Sequence, residues 1–273
     1  MENRAGKTPN PAEMGITPIL VSRFDTIKEK PDIAPELSSF ESILNTEDFR
    51  KHSFEEIREA FLFIFNEEKI RQYLTAREQT QEAFRYLKRV RRFGLILRSN
   101  YILLNATHRP PESLYRFLSL LGDYNDHYWL DKKQNADPLL ETLDGINKLD
   151  LAIKMADDRE FKKYVDDVLN RIDSLIEKGE LPVAEFHELR KNIRSCADLL
   201  QVAATENYGG GIHWLFSSVL ALSIRLGEQH DELLQKGLRK EIDYGEASVL
   251  VDPAIRQEFE KLKPFIKRVV GIS

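Results

Sequence analysis

The chain is nearly devoid of cysteine, with one, Cys196, among 273 residues. A single thiol excludes an intramolecular disulfide framework and a cysteine-only metal site, and it suits a reducing compartment. Long hydrophobic runs are also missing: no stretch approaches the ~20 apolar residues that span a bilayer. The first residues, MENRAGKTPNPAEMG, lack the apolar core of a secretory signal. A cytoplasmic protein with no membrane partner is therefore expected. Neither sign of charge is in large excess, since 40 Lys+Arg against 45 Asp+Glu give a net charge of −5. That acidity argues against indiscriminate nucleic-acid binding unless positive charge is gathered locally. The length is that of one large or two small domains and needs no crosslinks to hold a core.

Proline is absent from long tracts. Five of the 11 prolines precede Glu36, and none falls from Glu36 to Arg109 or from Val183 to Asp252. Proline costs about 3 kcal/mol inside a helix, so these tracts permit long helices. Asp137-Pro138 and Asp252-Pro253 each predict an N-cap followed by proline at the first helical position. Pro182 follows a stop signal at Gly179, and Pro110-Pro111 separates two helical patterns. Ser53 and Glu56 have the spacing of a capping box. Helices are expected over 36–45, 54–66, 67–104, 111–133, 138–156, 158–178, 182–206, 212–241 and 253–269, after an irregular leader at 1–33. Val249-Leu250-Val251 is an isolated β-branched run with no hairpin partner. The expected fold class is all-α.

Two of these helices are basic on one side. In FRYLKRVRRFGLILR (84–98), Arg85, Lys88, Arg89 and Arg92 fall within one arc of about 100°. Tyr86, Leu87, Val90, Phe93, Gly94 and Leu97 oppose them, and no acidic residue lies between Glu82 and Glu112. In FHELRKNIRSCADLL (186–200), His187, Arg190, Lys191 and Arg194 share an arc over an apolar face that includes Cys196. Each basic helix precedes an LG-x-x-x-D helix. Leu121-Gly122 with Asp126 matches Leu226-Gly227 with Asp231 at an offset of 105 residues, and the basic helices align at about 102 to 103. This is an internal duplication. Glycine costs about 1 kcal/mol against alanine in a helix, so two matched glycines predict close helix approach. The carboxylate four residues on shares their face and is placed to pair with and orient the arginines.

These segments resemble the CHAD domain, the conserved histidine α-helical domain. FHELRKNIRSCADLL carries its His-x-x-Arg-x-x-x-Arg pattern at His187, Arg190 and Arg194, and SIRLGEQHDELL and LLGDYNDHYWL are similar to its LG-x-x-x-D helices. In the first half the histidine position falls on Phe84 or Arg85, the next on Leu87 or Lys88, and the third on Arg91 or Arg92. The resemblance covers roughly residues 55–270. It implies two pseudo-symmetric bundles of about four helices each, here 34–160 and 161–273, around a shared basic surface. It implies binding of inorganic polyphosphate, association with polyphosphate granules, no cofactor, no metal and no catalysis. The residues implied to bind are Arg85, Lys88, Arg89, Arg92, His187, Arg190, Lys191 and Arg194, with Asp126 and Asp231 as orienting carboxylates. Arginine forks and lysine charges suit a polyanion, and His187 would add a donor that strengthens below about pH 6.5. This reading requires both basic helices to face one groove.

Two other classes fit parts of the chain. A helical protein–protein adaptor without anion binding is consistent with the net acidity. The His230-Asp231 dyad is compatible with an HD-type metal-dependent phosphohydrolase, with His187 or His213 and Asp243 or Asp252 as further ligands, although the LG-x-x-x-D repeat explains the dyad better. Gly209-Gly210-Gly211 reads as an interhelical loop rather than a phosphate cradle, since no GK[ST] follows. Cys196 is expected to be a buried, inert thiol.

Overall fold

The computed structural model describes residues 43–76, 80–129, 135–205 and 209–272. The leader at 1–33 lies outside the described residues, as does most of the helix expected at 36–45. Of that helix a 3-10 turn at Ile43–Asn45 is described. The α-helices are α1 (Glu47–Ile64), α2 (Glu67–Thr75), α3 (Gln81–Leu104), α4 (Glu112–Trp129), α5 (Asp137–Asn147), α6 (Asp158–Glu177), α7 (Val183–Thr205), α8 (Gly209–Leu238) and α9 (Pro253–Val270). The described residues are all-α apart from one short strand pair. Apolar side chains from Leu44 to Val270 join in one continuous core. Among the described residues no helix is long and apolar enough to cross a membrane.

Several boundaries depart from expectation for local reasons. The cap of α1 is Thr46, whose hydroxyl accepts from the Phe49 amide at 3.4 Å. Ser53 is instead buried inside the helix. The buried face runs one turn further upstream than its hydrophobic residues indicate, because Arg50 is itself fully buried. The Arg50 guanidinium donates to the carbonyls of Leu44 (3.1 Å) and Ala156 (3.4 Å) and to Asp158 (2.6 Å) and lies 4.6 Å from the Phe161 ring centre. It ties α1 to α6.

The tract 67–104 is two helices. Thr80 opens the second, its hydroxyl accepting from the Ala83 amide at 3.1 Å. Ala136 rather than Asp137 is the N-cap of α5. That helix stops at Asn147, because 154–156 pairs instead with the end of α3, through Ala106 to Lys154 (2.8 Å) and Ala156 to Leu104 (2.7 Å). Asp252 does cap α9, accepting from the Ala254 amide at 2.9 Å. Pro264, by contrast, sits inside α9. The helix continues through it on a buried stripe of Ile255, Phe259, Leu262, Ile266 and Val269, each worth about 1.5–3 kcal/mol of burial. Gly209–Gly211 form the first turn of α8 and not a loop.

The run at 249–251 is not isolated. β1 (Glu180–Pro182) pairs antiparallel with β2 (Ser248–Leu250), with Leu181 opposite Val249. Gly179, at φ +72°, makes the turn out of α6 that no other residue type makes readily. This pairing ties the start of α7 to the segment before β2 and so brings Tyr244 beside α7.

Candidate functional site

Helices α3 and α7 lie side by side. The Ser99 hydroxyl donates to the Asp198 carboxylate at 2.6 Å, and Asn100 donates to the Asp198 carbonyl at 3.5 Å. Eight residues upstream on both helices, the charge of Arg91 acts on Arg190. Ser99–Asp198 and Arg91–Arg190 share one sequence offset of 99 residues, which requires the helices to run in the same direction. The predicted arcs hold on each. On α3, Leu87, Val90, Phe93, Gly94 and Leu97 are buried and Tyr86 is half-buried, while Arg85, Lys88, Arg89 and Arg92 are exposed. On α7, Phe186, Leu189, Ile193 and Cys196 are buried, Lys191 and Arg194 are exposed, and His187 and Arg190 are half-buried.

Between the helices is a cluster of like charge. Arg98 acts on Lys191, and Arg194, Arg92 and Arg98 all act on Asp198. Burial, then the charge of Arg194, pulls the Arg190 guanidinium below its ordinary range. Burial, then Arg98 and Arg190, does the same to Lys191. Asp198 lies beneath them at 7% exposure, and burial pushes its carboxyl up to about 6 despite the arginines. Arg190, Lys191 and Arg194 make no hydrogen bond or ion pair with another described residue. Several cations elsewhere are paired: Arg171 with Glu188 (2.8 Å), Lys178 with Glu185 (2.6 Å), Arg225 with Asp252 (2.9 Å) and Arg256 with Glu260 (2.8 Å). Arg190 and Lys191 therefore carry desolvation and repulsion that the fields of Asp231 and Glu188 offset only in part, a state that a bound anion relieves.

The structure brings together only part of the expected set. Arg92 joins His187, Arg190, Lys191 and Arg194. Arg85, Lys88 and Arg89 lie on earlier, exposed turns of α3. Two further cations, Arg91 and Arg98, belong to the cluster. Arg91 was legible only as the alternative register for the first-half motif. Arg98 carried no motif and is held at 5.1 Å from the Tyr115 ring centre, a contact between α3 and α4 that spacing along one helix does not reveal.

The two LG glycines are not equivalent. A Cβ at position 122 would lie 2.6 Å from Nη2 and 2.9 Å from Nε of Arg91, so Gly122 makes room for that guanidinium over α4. A Cβ at Gly227 would meet nothing within 4 Å, and close approach fails there. The side chain of Asp126 lies outside the described residues. Asp231 bonds His230 (Nδ1 to Oδ1, 3.3 Å) rather than an arginine and reaches Arg190 only through its field.

His187 corrects the expected pH response. Burial, then Lys191 and Arg190, pushes its imidazole down to about 4, so it stays neutral where protonation was expected. It lines a cleft of about 530 Å³ with Val183, Ala184, Lys191, Tyr244 and Gly245. The dyad histidine serves this neighbourhood, since Nε2 of His230 meets the Tyr244 hydroxyl at 3.0 Å. Among the described residues no three His, Cys, Asp or Glu side chains converge as a metal ion requires. Asp252, a nominated ligand, is committed to Arg225 and to the cap of α9. Cys196 is 2% exposed, and burial raises its thiol to about 12, the inert state expected. No protein-family model, curated protein or solved structure matches the chain.

Proposed function

We propose that the chain is a CHAD-type, non-enzymatic polyanion-binding protein whose ligand is inorganic polyphosphate, held along the seam between α3 and α7. The observation that carries this reading is the cluster of Arg91, Arg92 and Arg98 with Arg190, Lys191 and Arg194, three of them unpaired with any described carboxylate. An adaptor without anion binding leaves this cationic cluster without a role. The ligand needs repeated donors rather than one enclosed pocket, and arginine forks fit successive phosphate oxygens. In the same reading α3–α4 and α7–α8 are two copies of one ancestral unit, each opening a bundle of about four helices, and the protein gathers at polyphosphate granules.

Salt dependence tests the proposal quantitatively. Neutralising six charges at about 0.7 counterions each gives a log–log slope near −4, or roughly a 300-fold loss between about 50 and 200 mM salt. Titration of long-chain polyphosphate at several salt concentrations measures it. Replacing Arg190 and Arg194 by alanine lowers affinity and reduces the slope by about 1.4. Undetectable binding at low salt refutes the ligand assignment.

A further inference from the structure

The cleft at the start of α7 differs in kind from the cationic seam it adjoins. Its walls are Val183, Ala184 and Gly245, and its polar groups are His187, Lys191 and Tyr244. Lys191 is shared with the seam, one turn before Arg194. The other two each offer a hydrogen-bond acceptor. The Asp231 carboxylate only accepts, so His230 donates to it from Nδ1 at 3.3 Å, which leaves Nε2 to accept from the Tyr244 hydroxyl at 3.0 Å. The proton of Tyr244 is thus committed, and its oxygen lone pairs remain to accept. The His187 ring lies with its centre 5.3 Å from that of His230. Neutral, it carries one acceptor nitrogen and one N–H donor.

Donors and acceptors side by side are only half used by a fully ionised phosphoryl group, which has no proton to give to the acceptors. Interior groups of a phosphate chain are of that kind. A terminal phosphate is not, since its second ionisation lies near about 6 and part of its population at neutral pH keeps a P–OH. We infer that this cleft receives the terminal phosphate of a linear polyphosphate, its P–OH donating to His187 or Tyr244 while Lys191 meets an anionic oxygen. The chain interior then continues over Arg194 and the α3 arginines. No bond is made or broken: the cleft sets where the chain begins.

The inference rests on the polyphosphate reading, and one experiment separates the two. Full-length protein is titrated with linear polyphosphate of one length, either with free ends or with both ends blocked as alkyl phosphoramidates. Wild type is expected to bind the free-ended chain about five- to tenfold more tightly, the worth of one ordinary hydrogen bond. His187→Ala and the milder Tyr244→Phe bring this ratio toward one. Arg194→Ala weakens both chains and keeps the ratio. Equal binding of both chains by wild type, or a ratio that survives in both cleft variants, overturns the inference and leaves the polyphosphate reading standing. If neither chain binds at low salt, the polyphosphate reading falls and the inference with it.

Discussion

Gly122 and Gly227 occupy matched positions in the sequence and unmatched surroundings in space, so the same substitution should act differently at each. Alanine for glycine inside a helix gains about 1 kcal/mol from propensity alone. At Gly227 the new methyl meets nothing within 4 Å, so the full gain is expected. For a chain of this size it raises Tm by about 2–4 °C and leaves polyphosphate affinity unchanged. At Gly122 the methyl would stand 2.6 Å from Nη2 and 3.0 Å from Cζ of Arg91. The guanidinium is the far end of a flexible side chain and moves aside, so the propensity gain is largely offset and stability changes by less than about 0.5 kcal/mol. Affinity responds instead. One cation of six leaves the seam, and binding at low salt falls by about three- to tenfold, with a salt slope shallower by about 0.7. Thermal unfolding and polyphosphate titration of the two variants suffice. Equal stabilisation with unchanged affinity in both would refute the reasoning that Gly122 exists to seat Arg91.

Three other outcomes follow from the same structure. Arg50→Ala removes the donor to two carbonyls and to Asp158 in a fully buried site; it should cost about 3–5 kcal/mol in urea unfolding, and a cost under 1 kcal/mol contradicts the lock between α1 and α6. Asp198 is held up to about 6 from 3.8, so folding favours its protonated form; that preference is fully present below about pH 3.8 and is lost as pH rises through about 6. Asp198→Asn, which keeps an acceptor for Ser99, should therefore stabilise by about 1–3 kcal/mol at pH 7.5 and by little at pH 4, and equal unfolding midpoint shifts at the two pH values would exclude a buried charge. Arg190→Met should stabilise the ligand-free protein by about 0.5–2 kcal/mol while weakening polyphosphate binding; loss of stability would mean that Arg190 has a structural partner.

The helical architecture was readable because long proline-free tracts and apolar stripes are local features. What escaped was non-local or depended on charge in unexpected places. Arg50 is a core residue, so the start of α1 could not be taken from hydrophobic spacing. The β1–β2 pair joins segments more than sixty residues apart, with no turn between them to announce it. Within the site, the α7 face was legible as a stripe at spacings of three and four. The contribution of α3 was only half legible, because the outer-face residues Arg85, Lys88 and Arg89 carry the obvious stripe. Arg91 and Arg98 meet α7 through contacts with Gly122 and Tyr115 of α4. The neutrality of His187 follows from burial and from neighbouring cations, neither visible in a motif.

A crystal structure of the protein with a short linear polyphosphate is the decisive test of the seam as the binding site. Phosphate groups are expected along the seam between α3 and α7, within hydrogen-bond reach of Arg190, Lys191 and Arg194 on one side and of Arg91, Arg92 or Arg98 on the other. Phosphates seated over the lysines of α9 or along the outer turns of α3, with the seam empty, would contradict it.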